Sequence, residues 1–105
     1  MKEQLILLAK EKGFVSSFLH NEPYKYSSKE ELRWLFWMEE LKKQLREWHN
    51  IHISLYRNGS GWGWQLEKAH NGTTIKDIED YNFFNIYEEA FEIGLFEALK
   101  LIDNE

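Results

Sequence analysis

Residues 81–102 read YNFFNIYEEAFEIGLFEALKLI, and this stretch decides the architecture, because an aromatic segment leads into an amphipathic helix. The spacing of its apolar residues predicts a closing helix over residues 86–102. Asn85 precedes that helix and Glu88 follows three residues later, which is the spacing of a capping box. We therefore expect the chain to enter its last helix through a side-chain cap at Asn85.

The closing helix also carries a stripe of small residues on one face. They recur every four positions: Ala90, Gly94 and Ala98. Because small side chains leave room for a neighbouring backbone, we expect another element of the fold to approach this face closely. The stripe constrains packing, but it names no substrate, cofactor or reaction.

Two more helices are predicted in the first half of the chain. Residues 2–12 have apolar side chains at helical spacing, and Gly13 stands where a left-handed cap would end a helix. A longer helix is predicted over residues 29–48, after Ser27 and Ser28, each of which has a glutamate three residues on. Local sequence thus specifies the end of the first helix and the start of the second.

The second helix is rich in aromatic and aliphatic residues. One apolar seam steps along it by four and three: Trp34, Met38, Leu41, Leu45 and Trp48. Four more apolar residues widen this seam over the first turns: Leu32, Leu35, Phe36 and Trp37. A helix that is apolar nearly all round is covered on both sides, either by its own domain or by a second copy. Since Trp is enriched in interface hot spots, Trp34, Trp37 and Trp48 are candidates for an interaction surface, with core packing as the alternative.

A β-hairpin is predicted over residues 51–67. Apolar and polar side chains alternate along residues 51–56 and again along 62–67, the pattern of half-buried strands. Between them, residues 58–61 read Asn-Gly-Ser-Gly and favour the positive dihedrals of a hairpin turn. Trp62 and Trp64 share one face, so they are candidates for an exposed aromatic platform, although the same spacing favours core packing.

The remaining elements complete an α+β domain. Residues 70–73 read His-Asn-Gly-Thr and predict a second turn, after which a third strand is expected either at 74–78 or at 81–84. The predicted order is α-α-β-β-(β)-α, with the helices packed on one face of a small antiparallel sheet. A chain of 105 residues with 43% hydrophobic content is expected to form one domain over residues 1–105.

No motif in the chain predicts catalysis, a cofactor or a metal site. There is no Cys, which removes disulfides, thiolate zinc ligands and thiol nucleophiles, and no Ser lies in a G-x-S-x-G context. The histidines His49 and His52 are three residues apart, but they straddle a predicted helix-to-strand change, so surface or capping roles are expected even with His20 or His70 nearby. A hydrolase built on His49 and His52 is the least favoured class.

Charge argues against a phosphate-binding surface. The chain has 18 acidic and 13 basic residues and a formal charge of −5, whereas nucleic-acid affinity rests on clustered Lys and Arg. The densest basic run is interleaved with glutamates on the second helix and comprises Lys42, Lys43 and Arg46. The acidic residues of the last third lack a calcium-loop pattern and predict a solvated face: Asp77, Glu79, Asp80, Glu88, Glu89 and Glu92.

The N-terminal apolar run covers only residues 5–9 before Lys10. It is too short for the apolar region of a signal peptide and far too short to span a bilayer. We therefore expect a cytoplasmic protein with no membrane partner.

Two stretches of the chain resemble a known group of proteins. Residues 8–53 read LAKEKGFVSSFLHNEPYKYSSKEELRWLFWMEELKKQLREWHNIHI, and residues 87–102 read YEEAFEIGLFEALKLI. They resemble short, uncharacterised proteins encoded in prophage-like regions of Bacteroides-group bacteria, in which a Trp-rich helix, a small sheet and a Tyr-Glu-Glu-Ala helix recur in this order. The resemblance implies a phage-associated origin and a cytoplasmic setting, and it implies no active site.

Two functional hypotheses follow from these observations. The leading one is a non-enzymatic, phage-associated interaction protein that self-associates, or binds a host or phage protein, through the helix that carries Trp34, Trp37 and Trp48, with the hairpin at 62–64 as a second contact. The alternative is a nucleic-acid-associated module, because helix, three strands, helix is also the order of double-stranded-RNA-binding domains. In those domains the last helix begins with a lysine cluster, whereas here it begins Tyr87-Glu88-Glu89, so the similarity supports the fold and leaves nucleic-acid binding disfavoured.

Overall fold

The structure, a computed structural model, describes residues 1–15, 30–59, 61–78 and 83–102. These residues form three helices and three strands in the predicted α+β order. The elements are α1 (Lys2–Glu11), α2 (Glu30–His49), β1 (Ile51–Asn58), β2 (Gly61–Lys68), β3 (Thr74–Asp77) and α3 (Tyr87–Lys100). The predicted capping residues Ser27 and Ser28 lie outside the described residues.

The sheet is antiparallel with the strand order β1-β2-β3. Its two turns use glycines with positive φ, Gly59 at 60° and Gly72 at 74°, as the hairpin signals predicted. The third strand lies at the first of its two predicted positions, within residues 74–78. The second position contributes a single bridge, because Phe84 pairs with Trp62 through backbone bonds of 2.7 and 2.8 Å.

The helices cover one face of the sheet, as predicted. α3 packs over β1 and β2, α2 packs over β1 and against α3, and α1 packs on α3. Lys12 at the end of α1 donates from Nζ to the carbonyl oxygen of Ile102 at 2.6 Å, and Gly13 ends the helix with φ 88°. The left-handed glycine predicted after α1 is therefore confirmed.

The small residues of α3 allow a close contact between this helix and the sheet. Ala90 and Ala98 are fully buried, and a Cβ added to Gly94 would lie 3.1 Å from Cβ of Trp64 and 3.3 Å from Cγ2 of Ile53. The close approach that the stripe predicted is made by the sheet. α3 rests directly on β1 and β2 at Gly94, where a larger side chain would force the layers apart.

The expected cap at Asn85 is wrong. α3 begins one residue later, its N-cap is Ile86, and no side chain makes the cap hydrogen bond. The backbone N–H of Glu89 instead donates to the carbonyl oxygen of Ile86 at 3.2 Å. The pairing of Phe84 with β2 fixes the chain immediately before Asn85, so a tertiary contact sets the start of the helix.

Asn50 joins α2 to β1 in a left-handed conformation, with φ 57°. Its side-chain oxygen accepts from the backbone N–H of His70 at 2.9 Å, and its carbonyl oxygen accepts from Ala69 N at 3.0 Å. Asn tolerates positive φ better than most residues and its amide can bond a nearby backbone. Asn50 thereby ends α2 and fastens the start of β1 to the second turn.

Candidate interaction surface

Trp34 and Trp37 lie in the core, where no partner can reach them. Trp37 is 1% exposed and Trp34 3%. Their rings stack with centroids 4.9 Å apart and planes 10° apart, and Phe14 meets Trp37 edge-on at 5.2 Å. A buried side chain contacts a partner only if the fold opens, so Trp34 and Trp37 are not part of an exposed interaction surface. Core packing, the alternative, accounts for both residues.

The indole of Trp34 reaches an acidic side chain of α3. Its Nε1–H donates to Oε2 of Glu92 at 3.3 Å, and the ammonium of Lys2 lies 5.4 Å from the Trp34 ring centroid. Burial raises the pKa of Glu92, while the Trp34 hydrogen bond and the positive charge of Lys2 act in the opposite direction. These contacts tie the first turn of α1 to α2 and α3.

The two Trp residues of β2 have different surroundings. Trp64 is buried beside Leu66 in the core, whereas Trp62 is half-buried. The Trp62 ring meets Tyr87 edge-on at 5.1 Å, and the guanidinium of Arg57 lies 5.4 Å from its centroid. Neither indole forms part of an open flat platform, because Trp64 is enclosed and Trp62 is packed between Arg57 and Tyr87.

Trp48 is the predicted surface residue that the structure leaves open, with 57% of its surface exposed. It lies in the last turn of α2 and lines a shallow cleft together with Phe14 and Ile102. Val15 is also exposed, and Gln44 holds it by accepting from its N–H at 3.3 Å and donating to its carbonyl at 2.6 Å. Trp48 thus stands at the end of the molecule where the helices finish.

A second exposed aromatic residue, Phe36, was not singled out from the sequence as a surface residue. Phe36 is 54% exposed and Leu32, one turn earlier, is also exposed. At 100° per residue these two belong to one stripe of exposed side chains, which we call the α2 outer face: Leu32, Phe36, Glu39, Lys43 and Glu47. The signal was present, because the buried seam through Trp34, Met38 and Leu41 places position 36 on the opposite side.

An acidic groove lies between the amino-terminal ends of the helices. It has a volume of about 650 Å³, and its lining combines apolar side chains with carboxylates: Leu32, Trp34, Leu35, Ile86, Lys2, Glu88, Glu89 and Glu92. Glu88 and Glu89 are exposed in the first turn of α3, where the helix dipole favours negative charge. Asp77 accepts from Tyr56 at 3.2 Å on the sheet, and Glu79 and Asp80 lie outside the described residues.

The histidines do not form a metal site within the described ranges. His49 is exposed at the end of α2, His52 is half-buried on β1, and the His70 ring is hydrogen-bonded to Asn50. Among the described residues, no group of three or more His, Cys, Asp or Glu side chains can hold a metal ion. His20 lies outside that part of the chain.

The basic run of α2 is dispersed. The ammonium of Lys42 lies 5.9 Å from the ring centroid of Phe91, and Arg46 approaches the carboxylate of Glu47 at 4.0 Å. Lys43 belongs to the α2 outer face with a glutamate on either side. This arrangement agrees with the predicted interleaving of opposite charges along a solvated helix.

Comparison with known protein families, characterised proteins and solved structures finds no significant match. The phage-associated origin implied by the resemblance therefore stays a prediction. Of the helices in the described part of the chain, none combines the length and apolar character needed to traverse a lipid bilayer.

Proposed function

We propose that this chain is a non-enzymatic protein–protein interaction module that self-associates through α2. The observation that carries the proposal is the exposure of two large apolar side chains one turn apart on this helix, Leu32 and Phe36. Aromatic side chains bury large areas on association, and Trp in particular dominates the energetics of many interfaces. Exposed apolar side chains next to one another on a helix mark a surface that gains free energy when covered.

The α2 outer face has chemistry that suits a second copy of itself. Phe36 and Leu32 supply apolar contact at one end, and the other end carries Lys43 between Glu39 and Glu47. When two such helices pack antiparallel about a two-fold axis near Phe36, the two Phe36 side chains meet at the centre and the charged ends that carry Lys43 lie at the outer ends of the contact. The aromatic contact at the centre supplies most of the affinity, while the charged residues form a polar rim around it.

The test is solution mass measured by light-scattering chromatography across a protein concentration series. We expect the unchanged chain to reach the mass of a dimer and Phe36→Glu to remain a monomer, because a carboxylate cannot be buried in an apolar contact without a partner. The matched control is Leu7→Glu, which places the same charge on an exposed apolar residue of α1 and should leave the dimer intact.

Folding is checked on each variant by circular dichroism. A monomeric mass for the unchanged chain at every concentration would overturn self-association. Dissociation by Leu7→Glu to the same extent as by Phe36→Glu would overturn the assignment to α2. Trp37→Glu is unsuitable for this test, since a charge at a 1% exposed position unfolds the monomer.

A further inference from the structure

The outer edge of β1 has backbone groups that point away from the sheet. Because Ala69 N donates to Asn50 O and Asn50 precedes β1, the alternation of an antiparallel ladder aims residues 52, 54 and 56 at β2. The N–H and C=O groups of Ile51, Ile53, Leu55 and Arg57 therefore point outward. Within the described residues, no backbone hydrogen bond from another segment reaches these four positions. β1 offers eight residues of strand edge.

The two edges of the sheet differ in their protection. Natural sheets guard their edges with short strands, charged residues, prolines or bulges. β3 follows this rule, because it has four residues, contains Lys76 and Asp77, and its pairing with β2 has a register shift. β1 reads IHISLYRN and has no proline, no lysine and no bulge, with Arg57 as its single fully charged residue. A long, regular and mostly uncharged edge is suited to pairing with another strand.

The sequence of β1 is complementary to itself when it is read in the antiparallel direction. With the two-fold axis at Ser54, Ile53 of one copy faces Leu55 of the other, and both project toward the helix side of the sheet. In the same register, His52 faces Tyr56 on the open side of the sheet. Arg57 faces Ile51, so no like charges meet. This register uses all four outward positions in hydrogen-bonded pairs.

The exposed edge strand carries a helix on one of its faces, because α2 packs over β1. Persistent interfaces bury about 1,200–2,000 Å² in total, more than strand pairing alone readily provides. Because α2 lies over β1 in each copy, joining the two strands also brings the two α2 helices together, and these helices add to that area. The strand edge and the helix surface are therefore parts of one contact.

We propose that β1 pairs antiparallel with β1 of a second copy, which joins the two sheets into one continuous sheet across the dimer. This inference rests on the proposed self-association and specifies its geometry. The second copy, rather than an unrelated strand, is the occupant because the sequence of β1 complements itself in the antiparallel direction.

The first test is amide hydrogen exchange followed residue by residue at high and low protein concentration. The hairpin protects the amides of His52, Ser54 and Tyr56 at all concentrations. We expect the amides of Ile53, Leu55 and Arg57 to exchange more slowly at high concentration. The exchange rate should fall by a factor close to the ratio of dimer to free monomer. Fast exchange at these positions in a sample that is dimeric by mass would overturn the pairing and leave the proposed function standing. Slow exchange in the fully dissociated monomer would equally overturn it.

The second test is a matched pair of variants at Arg57. Arg57→Pro removes an N–H that points outward and is needed only by a partner strand, whereas Arg57→Ala removes the same side chain and keeps the N–H. We expect Arg57→Pro to be monomeric and Arg57→Ala to remain dimeric. A dimer with the proline variant, while Phe36→Glu is monomeric, would overturn β1 pairing alone. A monomeric unchanged chain would overturn both proposals.

Discussion

The two faces of α2 give adjacent aromatic residues opposite environments. Trp37 is 1% exposed and packs between Trp34 and Phe14, whereas Phe36 is 54% exposed on the α2 outer face. Both belong to the same apolar run, and composition alone treats them alike. Their difference is angular, because successive residues of a helix are turned by about 100°. An aromatic surplus is thus divided between core and surface by helical phase, and the number of Trp residues does not locate an interface.

The largest expected effect separates these neighbours directly. Trp37→Ala removes an indole from the centre of the core and should lower the free energy of unfolding by about 3–5 kcal/mol. Phe36→Ala should change it by no more than about 0.5 kcal/mol in the monomer. Urea unfolding at a protein concentration low enough to keep the chain monomeric measures both. Equal losses for the two variants would show that Phe36 is part of the monomer core.

A smaller effect is expected at Gly94, where α3 packs directly on the sheet. Gly94→Leu adds a side chain whose Cβ alone would lie 3.1 Å from Cβ of Trp64, so α3 must move off the sheet. Overpacking of this kind costs about 1–3 kcal/mol. The matched control is Glu88→Leu on the exposed side of the same helix, for which about 0.3–1 kcal/mol is expected from loss of a favourable charge near the dipole. Thermal unfolding of both variants compares them, and an equal cost would contradict the close contact.

Much of this fold was predictable because its signals are local. The periodicity of 3.6 placed α2 within one residue of its observed ends, and alternation with Asn-Gly turns placed the hairpin. The stripe through Gly94 correctly predicted a close approach, although no local pattern identified the sheet as the partner. The start of α3 was missed at Asn85 because the pairing of Phe84 with Trp62 is a contact between residues 22 apart. The left-handed turn at Asn50 likewise depends on His70, which is distant in sequence.

The candidate surface was predictable in kind but only partly in place. The sequence indicated that α2 has more apolar residues than one seam holds, and the exposure of Trp48 agrees with that inference. Trp34 and Trp37 were surface candidates because hot-spot statistics favour Trp, with core packing as the alternative, and their burial follows the phase of the seam. The exposed edge of β1 was not predicted, since the sequence of a strand does not reveal whether it lies at the edge or the centre of a sheet.

A modest and pH-dependent effect is expected at Glu97, which joins α3 to β3. Its carboxylate bonds Nζ of Lys76 at 2.6 Å and Nζ of Lys100 at 2.8 Å. Burial raises the pKa of Glu97, but these two bonds outweigh burial and lower it below its ordinary value near 4.5. The stability that Glu97 contributes is therefore present above pH 4.5 and is lost as the pH falls through the lowered pKa. Glu97→Gln should cost about 0.5–1 kcal/mol at pH 7, and urea unfolding at pH 7 and pH 3 should show a smaller difference from the unchanged chain at pH 3.

Glu92 lies on the same helix and accepts a hydrogen bond from Trp34 of α2. We expect the smallest effect on stability here, with the opposite dependence on pH, because the pKa of Glu92 is raised rather than lowered. Burial raises its pKa above 4.5, so the folded chain holds this proton more tightly than the unfolded chain. The contribution to stability is then fully present below pH 4.5 and is lost as the pH rises through the raised pKa. Glu92→Gln keeps an oxygen that can accept from Trp34 Nε1 and carries no charge to desolvate. We expect this variant to match the unchanged chain in acid and to be slightly more stable at pH 7, measured by urea unfolding across that range. A loss of stability at pH 7 would mean that the charge attraction to Lys2 outweighs burial.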